Sequence, residues 1–345
     1  MYIKRIVLAI LLLGILGGGI FVYHVYTTFF SPNTAFENKE AYVYIPSDAD
    51  MIELQQLLQP LLRDVDAFRA VADRKQYSVK GGKYVLRKGM NNNEIVNTLR
   101  SGNTPVKVSF NNQESLPFLA GRISMQIEAD SLSLLEAFTD KEFLRQRDLN
   151  EDTSLGLYIP NTYEFFWNSS AQDFRDRMVR EYDRFWNDDR LQKAKAIGFS
   201  PLEVISLASV VQKESAKVDE RPRIAGVYLN RIRRGMALQA DPTVIFALKK
   251  ELNNFDTIIR RVLYRDLTID SPYNTYRYPG IPPGPITMPD ISSIDAVLNA
   301  EDHQYFYFVA DVENFGYHKF AENLAQHNRN KAQYVRWINS QNINR

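Results

Sequence analysis

"PLEVISLASVVQKESAKVDERP", Pro201 to Pro222, decides how the second half of the chain is read. Its opening run, "PLEVISLASVV", is apolar and reads as a buried helix. Gln212, Lys213, Glu214 and Ser215 then interrupt it. Pro222 suits the first turn of another helix. The pattern is helix over 201–216, helix over 221–234, a loop, and helix over 242–250. A carboxylate that closes an apolar helix is partly buried. Apolar surroundings disfavour its ionisation, and a raised pKa suits a general acid. Glu214 is that candidate. The competing reading is a surface glutamate paired to Lys213, Lys217 or an arginine. Asp219 and Glu220, before Arg221-Pro222, read as helix caps, and Asp241 before Pro242 reads as an N-cap.

Downstream lies a Pro-, Gly- and Tyr-rich loop, "SPYNTYRYPGIPPGPITMP" (271–289). Tyr273, Asn274 and Tyr276 offer hydroxyl, amide and aromatic faces, a mix that suits sugars. The alternative is a tyrosine loop packed on the core. A helix near 291–299, an aromatic strand "QYFYFVAD" (304–311) and a helical C-terminal stretch from His318 complete an α+β half. Upstream, "LGLYIPNTYEFFWNSS" (155–170) reads as an aromatic loop, with helical segments through Phe199.

The residues before it divide further. "YVYIP" (42–46) alternates as a strand, and Ser47 and Asp48 can cap the helix that follows. Pro60 splits the next periodic stretch into two short helices. "KGGKYVLRKGM" gives a strand after a Gly turn, and "NNNEIVNTLRSG" a capped helix ended by Gly102. The order over 41–103 is β-α-α-β, then a helix. A connecting α/β segment covers 104–150: strand "TPVKVSF", then helices in "QESLPFLAGRISMQI" and "SLSLLEAFTD".

At the start, "MYIKR" precedes eighteen uncharged residues, Ile6 to Tyr23. They cover roughly 27 Å as a helix, close to a bilayer's hydrocarbon thickness. No short apolar region ending in an A-x-A-like site appears, so the segment reads as an uncleaved anchor over 6–26, followed by a linker over 27–40. Lys4 and Arg5 favour residues 1–5 in the cytoplasm and the remainder across the membrane.

Composition narrows the chemistry. The 345 residues suggest about two domains. Net charge is +1, so no basic footprint argues for nucleic acid. Cysteine is absent, which excludes disulfides, thiol nucleophiles and thiolate metal sites. No Walker spacing and no G-x-S-x-G elbow occurs. His24, His303, His318 and His327 lack the helical i, i+4 spacing of zinc ligands. No metal and no cofactor is expected, and carboxylate chemistry remains.

Several separated motifs carry a family resemblance in one order. They are "LYIPNTYEF" (157–165), "SLASVVQKESAKVDERPRIAGVYLNRIRRGMALQADPTVIFAL" (206–248), "YNTYRYPGIPPGPI" (273–286), "YFVAD" (307–311) and "HKFAENLAQHN" (318–328). Together they resemble the endolytic murein transglycosylases of the MltG, or YceG-like, family. The resemblance implies a bacterial, single-pass inner-membrane protein with a LysM-like segment over 41–103. It also implies a mixed α+β, lysozyme-like catalytic domain over 151–345 facing the peptidoglycan. The implied activity cuts the β-1,4 bond after N-acetylmuramic acid within glycan strands and leaves 1,6-anhydro ends, ending strand elongation. Cell-wall synthases, the penicillin-binding proteins, are the implied partners. The family's catalytic acid is the second of a Glu-Lys-Glu motif, and here the motif reads Gln212-Lys213-Glu214. Asn161 and Ala240 also depart, from Asp and Thr respectively. The expected sugar contacts are Gln239, Asp241, Thr243, Tyr273, Asn274, Thr275 and Tyr276, with Asn230, Tyr163 and Glu164 behind them. The rival functions are a non-enzymatic, membrane-tethered glycan-binding scaffold and a hydrolytic muramidase, which would need a second carboxylate such as Asp241 or Glu220.

Overall fold

The computed structural model describes residues 2–340. The chain is mixed α+β and forms two compact units. One unit holds the residues up to Val108 together with Met125–Ala129 and Tyr163–Ser170. The other holds Ser109–Ser124, Asp130–Thr162 and everything from Ala171 on. Residues 104–150 are thus shared between the two.

The first unit begins with α1 (Tyr2–Phe30), apolar on all sides and without a buried residue. Such a helix has nowhere to hide its surface in water. It is long and apolar enough to cross a membrane. Next come β1 (Glu40–Ile45), α2 (Met51–Leu58), α3 (Val65–Arg74), β2 (Gly82–Arg87) and α4 (Asn92–Ser101). β1 and β2 pair antiparallel, with Tyr44 opposite Lys83. Their alternation turns Val43, Ile45, Tyr84 and Leu86 inward onto Leu54, Phe68, Ile95 and Leu99. Pro60 does separate two helices. α2 is capped by Asp50, whose carboxylate accepts from the amides of Ile52 and Glu53 at 2.8 Å each. Ser47 and Asp48 stand too far upstream for that role, and Ser47 is engaged by Glu128 instead. α4 opens with a reciprocal Asn91–Glu94 capping box and stops at Gly102.

The remaining elements are β3 (Pro105–Phe110), α5 (Leu116–Ser124), α6 (Ser131–Phe138), α7 (Lys141–Gln146), α8 (Glu151–Ser154), β4 (Asn161–Phe166), α9 (Ala171–Phe185) and α10 (Asp188–Ile197). After them come α11 (Pro201–Glu214), α12 (Arg221–Arg233), α13 (Asp241–Glu251), α14 (Ile291–Leu298), β5 (Tyr307–Ala310), β6 (His318–Ala321) and α15 (Leu324–Ser340). Two stretches differ from expectation. Residues 161–166 form a strand paired with β3, because "NTYEFF" is rich in β-favouring residues and buries only Phe165. His318–Ala321 is a strand, not the start of the last helix. It pairs with β5, where Phe320 faces Phe308 across the ladder.

The second unit is built around α11. Ser200 and Glu203 cap it reciprocally, and Pro201 takes the first turn. Every residue from Val204 to Val211 is buried. α10, α12, α13 and α14 surround it. Its interior hydroxyls are satisfied: Ser209 Oγ donates to the Ser206 carbonyl at 2.7 Å and accepts from the Ile286 amide at 3.0 Å. That second bond fixes the Pro-rich loop to the central helix. Gly226 of α12 is needed for packing, since a Cβ there would lie 2.4 Å from the Glu301 carbonyl.

Candidate active site

α11 ends at Glu214, two residues earlier than the sequence pattern suggests, because Ser215 turns extended. Glu214 is therefore presented at the end of a helix that is buried from Val204 to Val211. Its Oε1 accepts from the hydroxyl of Tyr228 on α12 at 2.7 Å. Burial raises the Glu214 pKa above the ordinary carboxylate value. The Tyr228 hydrogen bond and the charges of His318 and Arg231 oppose that rise, and Asp241 adds to it. Tyr228 is itself pushed well up by burial and by Glu214, so it remains a neutral donor. Neither lysine expected as a surface partner pairs with Glu214. Lys213 binds Glu114 at 2.5 Å, and Lys217 lies over the Tyr317 ring.

The α13 N-terminus carries the next groups. Asp241 is the first helical residue and not the cap; Ala240 occupies the cap position without a side-chain bond. The exposed Asp241 carboxylate accepts from Tyr276 Oη at 2.6 Å. Gln239 is exposed beside them with φ of 52°, a left-handed backbone that costs a non-glycine residue about 1 kcal/mol or more. Its amide donates to the Thr275 carbonyl. Glu214, Asp241, Tyr276 and Gln239 are the candidates that can meet a ligand.

The other expected sugar contacts are scaffold. Thr243 Oγ1 donates to the Ala240 carbonyl at 2.7 Å and lies 2.8 Å from Thr275 Oγ1, which accepts from the Ala240 amide. Both threonines are buried, and their bonds tie α13 to the tyrosine loop. Asn274 is fully buried; its amide donates to the Leu267 and Ile269 carbonyls and its oxygen accepts from the Tyr276 amide. Tyr273 is buried against Phe246. Asn230 donates to the His303 and Tyr305 carbonyls. Tyr163 and Glu164 lie on β4 in the first unit.

Two contributors, Tyr228 and Arg231, escaped the sequence reading, and Glu220 has another environment than the one expected of it. Tyr228 and Arg231 stand one helical turn apart on α12, a spacing visible in sequence, yet nothing there links them to Glu214. Arg231 donates to the carbonyls of Phe306, Ala237 and Leu238 and ties β5 to the loop before α13. Glu220 is not a helix cap by its side chain. It is buried and accepts from Ser215 Oγ, the His318 amide and His318 Nδ1.

Gln212, in place of an acid, has a defined task. Its Oε1 accepts from Ser293 Oγ at 2.6 Å and from the Asp290 amide at 3.1 Å, while its Nε2 donates to Asp290 Oδ2 at 3.0 Å. Asp290 makes no cap bond of its own at α14, so Gln212 secures that helix start from α11. Chemically, the site presents one partly buried carboxyl of raised pKa next to an exposed carboxylate–phenol pair. It can give a proton and take one back.

A model of the YceG-like family matches residues 43–333. The chain belongs to the YceG-like family. Among its relatives is the endolytic murein transglycosylase of Bacillus subtilis strain 168, 28% identical over 313 residues, which span 85% of this chain and 84% of that one. The endolytic murein transglycosylase of Streptococcus pneumoniae strain D39 is 29% identical over 349 aligned positions, covering 92% of this chain but only 62% of the streptococcal protein. The fold also resembles the 2.6 Å crystal structure of a YceG-like protein from Listeria monocytogenes. That similarity has a TM-score of 0.56 at 29% identity and covers 85% of this chain and 99% of the other.

Proposed function

We propose that this protein is an endolytic peptidoglycan transglycosylase in which Glu214 is the sole proton carrier. The observation that carries the reading is Glu214 itself: a carboxyl whose pKa is raised by burial, accepting one hydrogen bond from a neutral phenol, in a family whose relatives bear that name. The protonated Glu214 gives its proton to the glycosidic oxygen, and the bond to the anomeric carbon breaks with its electron pair going to that oxygen. The muramoyl 6-hydroxyl then attacks the anomeric carbon, and its proton returns to Glu214. An internal nucleophile has a high effective molarity, so no second carboxylate is required to activate water. Asp241, Tyr276 and Gln239 position the sugar and face the positive charge that develops.

In the same reading α1 is a single-pass anchor in a bacterial inner membrane, with residues 1–5 cytoplasmic, 27–40 a linker and 151–345 a lysozyme-like catalytic domain outside the cytoplasm. The β-α-α-β segment over 41–103 is LysM-like. Cutting nascent strands would end their elongation, beside the penicillin-binding synthases that make them.

The test digests purified peptidoglycan with wild type and Glu214→Gln and weighs the fragments by mass spectrometry. Anhydro-muramic ends from wild type and none from the variant are expected. Reducing ends would favour a muramidase using Asp241. Binding without cleavage by wild type would leave the scaffold.

A further inference from the structure

The backbone that carries Glu214 is gripped on both sides of that residue. Before it in the chain, Gln212 Nε2 donates to Asp290 Oδ2 at 3.0 Å, at the start of α14. After it, the Ser215 carbonyl accepts from Arg221 Nε at 3.1 Å, at the start of α12. The two grips meet. Arg221 Nη1 lies 3.6 Å from the same Asp290 Oδ2 and donates to Ser292 Oγ at 2.8 Å. The circuit Gln212–Asp290–Arg221–Ser215 thus closes around the end of α11. Every polar group of the buried Ser215 is engaged. Its amide donates to the Val211 carbonyl, and its hydroxyl donates to Glu220 and accepts from the Lys217 amide.

The Arg221 side chain is only 5% exposed, a depth at which a cation requires partners. Among the described residues, Asp290 is the carboxylate that pairs with it. The planar guanidinium presents its donors in fixed directions, so it holds a carbonyl, a hydroxyl and a carboxylate at once. A lysine ammonium is a point charge without that fork. Further along the same helix, Tyr228 donates to the Glu214 carboxyl at 2.7 Å. Positions 221 and 228 are about two turns apart and share a face. One face of α12 therefore fixes both the carboxyl and the peptide that follows it.

We propose that Arg221 is a positioning residue for Glu214. Joined to Gln212 through Asp290, it sets the helix end from which the carboxyl reaches the glycosidic oxygen. The inference rests on Glu214 as the proton carrier. Proton transfer needs donor and acceptor within hydrogen-bond reach, and a displacement of about 1 Å can cost about a hundredfold in rate. The neutral amide of Gln212 suits the circuit, because it donates to Asp290 and leaves that carboxylate's charge to Arg221.

The experiment gives the full-length chain in detergent two substrates. One is a glycan strand. The other is a synthetic glycan whose terminal muramic acid carries a nitrophenyl leaving group. In the second, the bond from the anomeric carbon to the aryl oxygen breaks with its electron pair going to nitrophenolate, and the 6-hydroxyl closes the same anhydro ring. Nitrophenolate leaves without being protonated, so it depends far less on a well-placed acid. Unfolded protein lowers both rates alike. The ratio of strand cleavage to nitrophenolate release therefore separates position from folding. Arg221→Lys should lower that ratio by about ten- to a hundredfold. Asp290→Asn keeps an acceptor for Gln212 but removes the charge opposite Arg221, and should lower the ratio less. It decides the matter if Arg221→Lys does not fold. A ratio unchanged from wild type in the folded variants, whatever their melting temperatures, would overturn the proposal. A wild-type ratio in Glu214→Gln, which should show the largest fall, would instead overturn the role of Glu214 itself.

Discussion

Glu214 and Glu220 are six residues apart in sequence, yet their surroundings act on them in opposite directions. Glu214 closes a helix whose middle, Val204 to Val211, is buried, and it receives one neutral hydrogen bond, so desolvation prevails and its pKa is raised. Glu220 also sits out of water but accepts from three donors, one of them an imidazole, so the charged form prevails. The difference teaches that burial alone does not assign a carboxyl its role. The number and charge of its donors decide whether it carries a proton or holds another group in place.

The strongest way to break the comparison is to neutralise Glu214. Glu214→Gln should lower cleavage by about 10²–10⁴-fold, the range of a lost general acid, in a glycan digestion assay. Its effect on stability has a definite sign. The folded-state pKa of Glu214 lies above the unfolded value, so its contribution is fully present below the unfolded pKa, near 4.5, and is lost as pH rises through the folded one. The glutamine has no such loss. Melting temperatures should favour the variant at pH near 8 and converge near pH 4.

Next in size is Glu220→Ala, which leaves His318 and Ser215 without their acceptor. A loss of about 2–4 kcal/mol is expected in denaturant titration. Here the sign reverses. The folded pKa of Glu220 is depressed, so its contribution is present above the unfolded pKa and disappears as pH falls through the folded one. The gap between wild type and variant should shrink with acid.

Tyr228→Phe removes the one donor to Glu214 among the described residues, raises the carboxyl further and should move the alkaline limb of the activity profile upward. The lost bond is worth about 1 kcal/mol of unfolding free energy.

Gln212→Glu takes away the donor to Asp290 and sets two carboxylates together. It should cost about 1–2 kcal/mol in thermal unfolding, and Asp290→Asn in the same chain should restore most of it. The smallest effect belongs to Gln239→Gly. Relief of the positive φ and the added freedom of the unfolded chain nearly cancel, so stability should change by less than about 1 kcal/mol. A fall in glycan affinity, measured by binding of strands to the Glu214→Gln background, would place the Gln239 side chain on the substrate.

Local rules made much of the fold legible. Pro60 as a divider, the Asn91–Glu94 cap and the apolar run from Val204 to Val211 need only neighbours in sequence to be understood. The strand at His318–Ala321 was not, because the seven-residue connection from β5 carries no tight-turn signal and the helical spacing of α15 continues visually into it. The site divides along the same line. Glu214 stands out because burial follows from its own helix. That Asn274, Thr243 and Thr275 are scaffold depends on carbonyls and hydroxyls from remote segments. Polar residue type suggested sugar contacts there, while burial spends those groups on holding the loop to α13. Glu220 read as a cap for the same reason: its partner, His318, is 98 residues away.

The central claim is that Glu214 passes a proton without activating water. Digesting peptidoglycan with the wild-type chain in heavy-oxygen water, with mass spectrometry of the new ends, tests it most directly. Anhydro-muramic ends free of the heavy isotope, abolished by Glu214→Gln, are the predicted result. Reducing muramic ends that carry the heavy oxygen, or anhydro ends that persist in the variant, would contradict it.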